Sequence, residues 1–460
     1  MSENAYLRSK TAVFIAFFSF CFFSSIFLNI KDAPDEAMRD LLSNFIYKHG
    51  ALPVGNELEI VHPIWGFSYA FYPYITSISS AFFMRLVSLF TTDPSALLAA
   101  ARFTSVLLGM GTVYFIFRIG EFLFKKREST LLFAALCAFL PQFIFLCSYQ
   151  NNDCLAVFSS SLILFFWLRG LKDGWNRKNC LGLGVGCGIC ALSYYNAYAW
   201  ILCSIPVFFS GAWIQKIRKR ELLKKCIFIL GIAVLIAGWF FIRNAVLHKG
   251  DFLGMDSTSS LAETYAMDEF KPSLRETPSR LGLSFGETFF SVGDGDFQNW
   301  IPKTVCSFIG AFSHLNLFMA LPLYGIYLLI YLVGLLLFFI YIFKNRRKHS
   351  AENKILFFNF LLCIFLPLGM SMYNSYYSDF QPQGRYLMPS LIPVMILISS
   401  GYHFFSLSDR KILGEHSTNH KKTAGANRMS VLPTFLIVCL LLLFLVSYFI
   451  YLVPNCFHIP

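Results

Sequence analysis

Apolar runs set the pattern of this chain. Long stretches of Leu, Ile, Phe and Val, broken by short polar connections, predict membrane-crossing helices at Thr11–Ile30, Leu97–Phe124, Thr130–Ser148, Leu155–Leu168, Cys180–Tyr194, Ala197–Ile214, Cys226–Leu247, Leu321–Phe343, Ile355–Tyr373, Tyr386–Phe405 and Val431–Val453. A further apolar segment, Gly66–Phe90, is broken by Pro73 and carries Arg85. A second pattern follows the first run: Met38, Leu41, Leu42, Phe45 and Ile46 recur at helical spacing, with Arg39, Asp40, Asn44 and Lys48 between them. That amphipathic pattern predicts a helix lying on the membrane surface. Between the first run and this helix stands Asp32-Ala-Pro-Asp-Glu36, three carboxylates in five residues at the membrane exit. Asp at an N-cap and Pro in a first turn also suit any helix start.

Composition agrees with the pattern. Over 460 residues, 56% are hydrophobic, 14% are charged and 53 are Phe, with a mean hydropathy of +0.58. This is an all-α polytopic membrane protein. The net charge of +12 changes the picture only through its placement. Basic residues cluster at Lys125-Lys-Arg127, Arg169 to Lys178, Lys216 to Lys225, Lys344 to Lys348 and Arg410 to Lys422. These clusters alternate with acidic or neutral connections, so the charge sets orientation and implies no nucleic acid. The pattern holds only if Gly66–Phe90 rests at the outer leaflet without crossing. About eleven crossings then leave the N-terminus cytoplasmic and Asp32 outside.

The chain divides accordingly into a core transmembrane module at 1–247, whose first outer loop spans 31–96, a large outer loop at 248–320 and a C-terminal transmembrane module at 321–460. The 13 Cys are scattered through apolar runs and support no disulfide framework. Cys187 and Cys190 form a lone pair without a second pair to complete a zinc site. Gly182, Gly184, Gly186 and Gly188 read as close helix packing. The turn Gly293-Asp-Gly-Asp296 reads as a solvated loop, and no metal site is assigned there.

The polar residues gather on the outer side: Asp32, Asp35, Glu36, His62, Arg85, Arg102, the run Gln150 to Asp153, Asn196, Arg243, Asn244, and Asp379 with Gln381 to Tyr386. A transporter would place polar groups near the midplane. Carboxylates and arginines aimed at one leaflet suit group transfer from a lipid-linked phosphate. A carboxylate removes the proton from an attacking hydroxyl, and an arginine stabilises the departing phosphate. An arginine at a span end also simply snorkels to headgroups.

Several motifs in order resemble the GT-C membrane glycosyltransferases, which include the protein O-mannosyltransferases, the aminoarabinose transferase and the oligosaccharyltransferase catalytic subunit. Asp32-Ala-Pro-Asp-Glu-Ala-Met-Arg39 with Phe45-Ile-Tyr-Lys-His-Gly-Ala-Leu-Pro53 looks like the family's first outer loop. Glu59-Ile-Val-His-Pro63 is similar to its His/Lys-Pro-Pro surface helix, and Ala101 to Gly109 resembles its second span. Asn152-Asp153 resembles its second acidic position, Ile242-Arg-Asn244 with Gly250-Asp251 its seventh-span exit, and Gln383-Gly-Arg-Tyr386 with Pro389 its late outer motif. A bacterial subgroup of undefined function with Pro-Asp-Glu and Gln-Gly-Arg-Tyr motifs is the nearest likeness. The chain departs from the pattern at Ile64, where the second Pro would stand, and in having a single Asp153 in place of Asp-x-Asp.

The resemblance implies a GT-C fold with juxtamembrane helices in the first outer loop. It implies an inverting transfer from a polyprenyl-phosphate sugar to a glycan, lipid or protein acceptor at the outer face of the plasma membrane. Residue by residue, it implies Asp35 as the base, Glu36 as its neighbour and Asp153 as a second acidic residue. Arg243 and Arg385 would hold the donor phosphate, with His62, Arg102 and Tyr386 beside them. Asp32 and Gln383 are further candidates, no metal ligand is assigned, and a divalent cation remains an open cofactor. A polysaccharide polymerase or ligase and a lipid-linked sugar flippase are the alternative functions.

Overall fold

The computed structural model describes residues 1–345, 350–415 and 419–458, with side chains described for 1–345, 350–405 and 432–458. Part of the basic run Lys344 to Lys348, and the side chains of Arg410 to Lys422, lie outside the described residues.

Helix α1 (Glu3–Phe27) runs the length of the bundle. At its start, the amino terminus pairs with Glu128 at 2.6 Å and Lys10 pairs with Glu121 at 2.7 Å. At its far end, Asn29 N–H donates to the Cys456 carbonyl at 2.8 Å, so the chain's last turns return beside its first loop. The bundle therefore has one end holding residues 1–10 and 121–128, and an opposite end holding residues 28–36.

At that opposite end, α2 (Glu36–His49) and α3 (Ile75–Val87) form a layer linked by short 3-10 turns. Thirteen residues of α3 rise about 20 Å, less than the ~30 Å of a bilayer's hydrocarbon. The helix packs on α4 (Pro94–Leu123), where the Ser80 hydroxyl donates to the Ala101 carbonyl at 2.8 Å. Asp93 caps α4 through the Ala96 N–H and Pro94 occupies its first position, a strong start signal. The polar side of α2 is graded in burial. Arg39 is buried with Met38, Leu42 and Ile46, Asp40 and Asn44 are half-buried, and Lys48 is exposed, so the start of this side packs on protein and its end is open.

The run Thr130–Ser148 is two helices, α5 (Arg127–Ala138) and α6 (Pro141–Leu146). Pro141 is the reason, because proline disfavours helical backbone in the residue before it and lacks an N–H donor. Next come α7 (Asp153–Asp173) and the short α8 (Arg177–Ala191). The glycines of α8 let its neighbours in on two sides. Gly182 and Gly186 meet Phe166 and Ile163 of α7, and Gly184 and Gly188 meet Ile232 and Ile236 of α10 (Lys219–Leu247). Between them, α9 (Tyr198–Ile214) buries Trp200 against Trp167 at 5.1 Å. Cys187 and Cys190 contact Ser204 and the Ala197 carbonyl as packing groups.

Residues 248–320 carry α11 (Met255–Tyr265), α12 (Phe285–Phe290), α13 (Trp300–Gly310) and a hairpin of β1 (Ala311–Phe312) and β2 (Leu317–Phe318). The turn at Gly293–Asp296 is tied by Asn299 and Gln298, and its two aspartates are exposed. Then follow α14 (Leu321–Asn345), α15 (Ala351–Tyr377), a 3-10 turn at Gly384–Ser390, α16 (Leu391–Glu415), α17 (Asn419–Val446) and the terminal α18 (Val453–Cys456).

Among the described residues, nine helical stretches are long and apolar enough to cross a membrane. Of the eleven predicted runs, the two without such a helix are the Pro-broken α5–α6 and the 15-residue α8. This is a multi-pass membrane protein. Where the crossings are short, partners supply what length does not: α5, α6 and α7 are almost wholly buried by other helices.

Candidate active site

Three segments meet at the end of the bundle that holds α2. The loop before α2 brings Asp35, the start of α7 brings Asn152 and Asp153, and the 3-10 turn before α16 brings Arg385 and Tyr386. Asp35 adopts a left-handed backbone, φ 61°, a conformation that Asp and Asn tolerate better than most residues. It precedes α2 without capping it, so the carboxylate is free to face inward. Its Oδ2 accepts from Arg385 Nη2 at 2.6 Å. Burial alone would raise the Asp35 pKa, but the charges of Arg385 and Arg39 and the Arg385 hydrogen bond outweigh it and hold the carboxyl below its ordinary value.

Arg385 is itself buried. Its Nη2 also reaches the Tyr386 hydroxyl at 3.2 Å, and its Nε is buried with no partner. Asp153 is buried within electrostatic reach of Arg385, Arg39 and Asp35, and its Oδ1 likewise has no partner. Buried donors and acceptors without a protein partner are unusual, and these two lie within electrostatic reach of each other.

A cavity of about 710 Å³, a size suited to a small-molecule ligand, is lined by Asp35, Asn152 and Tyr386, with Arg385 and Asp153 behind this lining. One wall is aromatic: Trp65, Tyr69 and Tyr72 from the loop before α3, with Tyr194 stacked parallel to Tyr386 at 6.1 Å. The other wall is the α15 face of Phe365, Leu366, Gly369 and Met370. Phe365 is 60% exposed and Met370 42%, on a helix long and apolar enough to cross a membrane.

At the rim, a chain of contacts leads from the large loop to Asp35. Arg275 lies 3.5 Å from Asp379, Gln381 Nε2 donates to Asp379 at 2.6 Å, and the Tyr386 hydroxyl donates to Gln381. Burial pushes the Asp379 carboxyl above its ordinary value, against the opposing charge of Arg275.

Other candidates are engaged elsewhere. Glu36 and Arg102 grip each other through two bonds of 2.6 and 2.8 Å, with side chains 0% and 1% exposed. Arg102 also donates to the Ser25 and Leu28 carbonyls, and Glu36 accepts from Gln150 N–H. The structure thus places Glu36, next to Asp35 in the chain, and Arg102 in a buried pair held within the protein, which locks α2 to α4.

Arg243 donates to the Leu52 and Pro53 carbonyls and the Tyr74 hydroxyl, pinning the first loop onto α10. His62 Nδ1 accepts from Ile64 N–H at 3.2 Å and organises the turn ahead of Trp65. Burial lowers its pKa, with the Asp35 charge opposing. Asp32 accepts from Ser313 at 2.9 Å and ties the first loop to the hairpin. Gln383 opens the turn that carries Arg385, with its N–H on the Gln381 carbonyl at 2.8 Å.

Arg275, Asp379 and Gln381 line the cavity although the motif comparison does not single them out. Their signal in sequence is only polarity in irregular loops, which carries no periodicity.

Among the described residues, no three His, Cys, Asp or Glu side chains converge, and the Asp35 carboxylate is paired with Arg385.

A profile of the dolichyl-phosphate-mannose-protein mannosyltransferase family matches residues 77–241. No curated protein matches the chain. Among solved structures, the Archaeoglobus fulgidus oligosaccharyltransferase tethered to an acceptor peptide is similar at 13% identity and a TM-score of 0.55, over 95% of this chain and 55% of that one. The archaeal oligosaccharyltransferase AglB from the same organism, in complex with an inhibitory peptide and a dolichol-phosphate, gives 13% identity and 0.53, over 94% and 55%. ArnT from Cupriavidus metallidurans, bound to undecaprenyl phosphate, gives 12% and 0.52, over 97% and 73%. The chain thus spans about half the length of the oligosaccharyltransferases it matches. With its two short helices at the Asp35 end and its ordered bundle, the chain has the fold of the GT-C superfamily of polytopic membrane glycosyltransferases.

Proposed function

We propose that this chain is an inverting glycosyltransferase that moves a sugar from a polyprenyl-phosphate donor to a hydroxyl acceptor, with its cavity facing the outside. The observation that carries the reading is the Asp35–Arg385 pair beside a cavity walled by the apolar, partly exposed α15 face of Phe365, Leu366 and Met370. An apolar wall fits a polyprenyl chain, and buried polar groups beside it fit the phosphate and the reacting carbons. The complexes of ArnT with undecaprenyl phosphate and of AglB with dolichol-phosphate support a lipid phosphate in this fold.

In the proposed step, the acceptor oxygen attacks the anomeric carbon as its proton passes to Asp35, and the bond from that carbon to the phosphate oxygen breaks. The electron pair leaves with the phosphate, and the anomeric centre inverts in a single displacement. Arg385 answers the growing charge with its unpartnered Nε, and Arg275 is the second guanidinium available at the cavity. Because Arg385 also neutralises Asp35, a phosphate that draws the guanidinium away releases the carboxylate as the base. Asp153 orients the acceptor from the buried side.

Purified protein supplied with polyprenyl-monophosphate and polyprenyl-diphosphate sugars tests this directly. Consumption of the monophosphate donor is expected, whereas a polymerase or ligase would take the diphosphate and a flippase would consume neither. Arg385→Lys keeps the charge but loses the planar fork, so it should raise the apparent KM for the donor, and Arg385→Ala should raise it further. Unaltered donor kinetics in both variants would remove Arg385 from the phosphate site.

A further inference from the structure

Helix α13 presents an outward face without polar side chains. It buries Thr304 and Ser307 together with Trp300 and Ile309, and presents Ile301, Pro302 and Val305 outward. Its single charged residue, Lys303, is half-buried. A helix bathed in water carries its polar residues on the outward face. In lipid, apolar side chains face outward, and the Ser307 hydroxyl donates to the Lys303 carbonyl within the protein at 2.6 Å.

Its surroundings agree. The helix starts just after the exposed Asp294 and Asp296, which mark the water side. At its other end, the Gly310 carbonyl accepts from the Tyr324 hydroxyl at 2.6 Å, level with the first turn of the crossing helix α14, and Gly310 abuts Pro141 of α6. The outward face continues onto Leu321, which is 79% exposed at the start of α14.

We infer that α13 is seated in the leaflet at the Asp35 end of the bundle, with Ile301, Pro302 and Val305 against acyl chains. This gives the 248–320 segment a lipid-contact surface of its own. That surface bears on the site, because Ser307 Oγ accepts from Gly384 N–H at 2.7 Å and the Gly384 backbone presses on Phe308. A helix held by lipid therefore carries the turn that presents Arg385. The inference stands on α13 alone and does not depend on which reaction the cavity performs.

The full chain in lipid nanodiscs, with native cysteines replaced, tests it with NBD attached at I301C or V305C and, as the water-facing control on α11, at S260C. Lipids carrying a shallow doxyl group should quench the probes at 301 and 305 several-fold more than at 260, and iodide should quench 260 several-fold more than 301 or 305. Iodide reaching 301 and 305 as readily as 260 overturns the inference. So does protection from both quenchers with cross-linking of V305C between two chains, which would make the face a contact between copies. The two positions lie one turn apart, so failure of one variant to fold leaves the other to decide.

Discussion

Adjacent acidic residues have opposite fates here. Asp35 stands in a left-handed turn with one arginine bond and a cavity above it, and Glu36 is sealed against Arg102. The two should separate by assay. Glu36→Gln leaves the buried Arg102 charge unmatched and should cost about 3–5 kcal/mol of stability, read as a lowered thermal midpoint in detergent. Asp35→Asn preserves the left-handed turn and leaves Arg385 with the Asp153 charge in reach, and Asp35 itself is a third exposed, so its midpoint should fall by less than that of Glu36→Gln. Equal midpoints for Glu36→Gln and wild type would refute the structural role given to the pair.

Acid also separates two carboxylates of the cavity. As pH falls, Asp379, raised by burial, takes its proton first, and Asp35, held down by Arg385 and Arg39, takes its proton last. Protonation weakens the charge-assisted hold of Asp379 on Gln381 and slackens the chain to Tyr386 and Arg385. The rate should therefore decline on the acid side with a midpoint above the ordinary carboxylate value of about 3.9. Asp379→Asn should sit at the low-pH level throughout, with no such limb. A limb that persists in this variant belongs to another group.

Sequence shows depth but not direction around a helix. The gathering of Asp35, Asp153 and Arg385 at one end of the bundle was legible from their positions at span ends and from motif order. That Arg102 would turn to Glu36, and Arg243 to backbone carbonyls, was not, because polar groups at one depth satisfy one another whenever packing aligns them.

At the scale of elements, close backbone approaches fix the geometry. A Cβ on Gly384 would lie 2.1 Å from Phe308 N and 2.5 Å from the Thr304 carbonyl, so the turn bearing Arg385 sits directly on α13. Gly384→Ala must displace that turn by a large fraction of an ångström or more. A shift of about 1 Å in a positioned group lowers rates by about a hundredfold, so kcat should fall by that order while the protein stays folded. A normal kcat would show that the turn's seat on α13 does not position Arg385.

Gly66 plays a similar part between the first loop and 248–320. It has φ +66° and stands where a Cβ would strike the Ala266 backbone at 2.1 Å. No periodicity signals such contacts. The break at Pro141, by contrast, was written in the sequence, and the long apolar run around it masked the signal. The outward apolar face of α13 was equally hidden, because reading it requires knowing which side the protein covers.

For the whole molecule, the alternation of apolar runs and basic connections was enough to read a polytopic helical bundle with short helices beside the first loop. The structure has that architecture and the GT-C fold. Length along the chain was a poorer guide to crossing. A helix clamped by glycine contacts, as α8 is, or wrapped by protein, as α5 and α6 are, need not meet the lipid thickness by itself.

The central claim is that Asp35 takes the acceptor's proton while a polyprenyl phosphate departs. Its most direct measurement is release of polyprenyl phosphate by purified wild-type and Asp35→Asn protein, supplied with polyprenyl-monophosphate sugars and a hydroxyl acceptor. Loss of a general base lowers rate by about a hundred- to ten-thousandfold. Wild-type protein should release the lipid phosphate, and the variant should bind the donor but lose release by that factor. Release by the variant at the wild-type rate, or no release by the wild type from any monophosphate donor, would contradict the account.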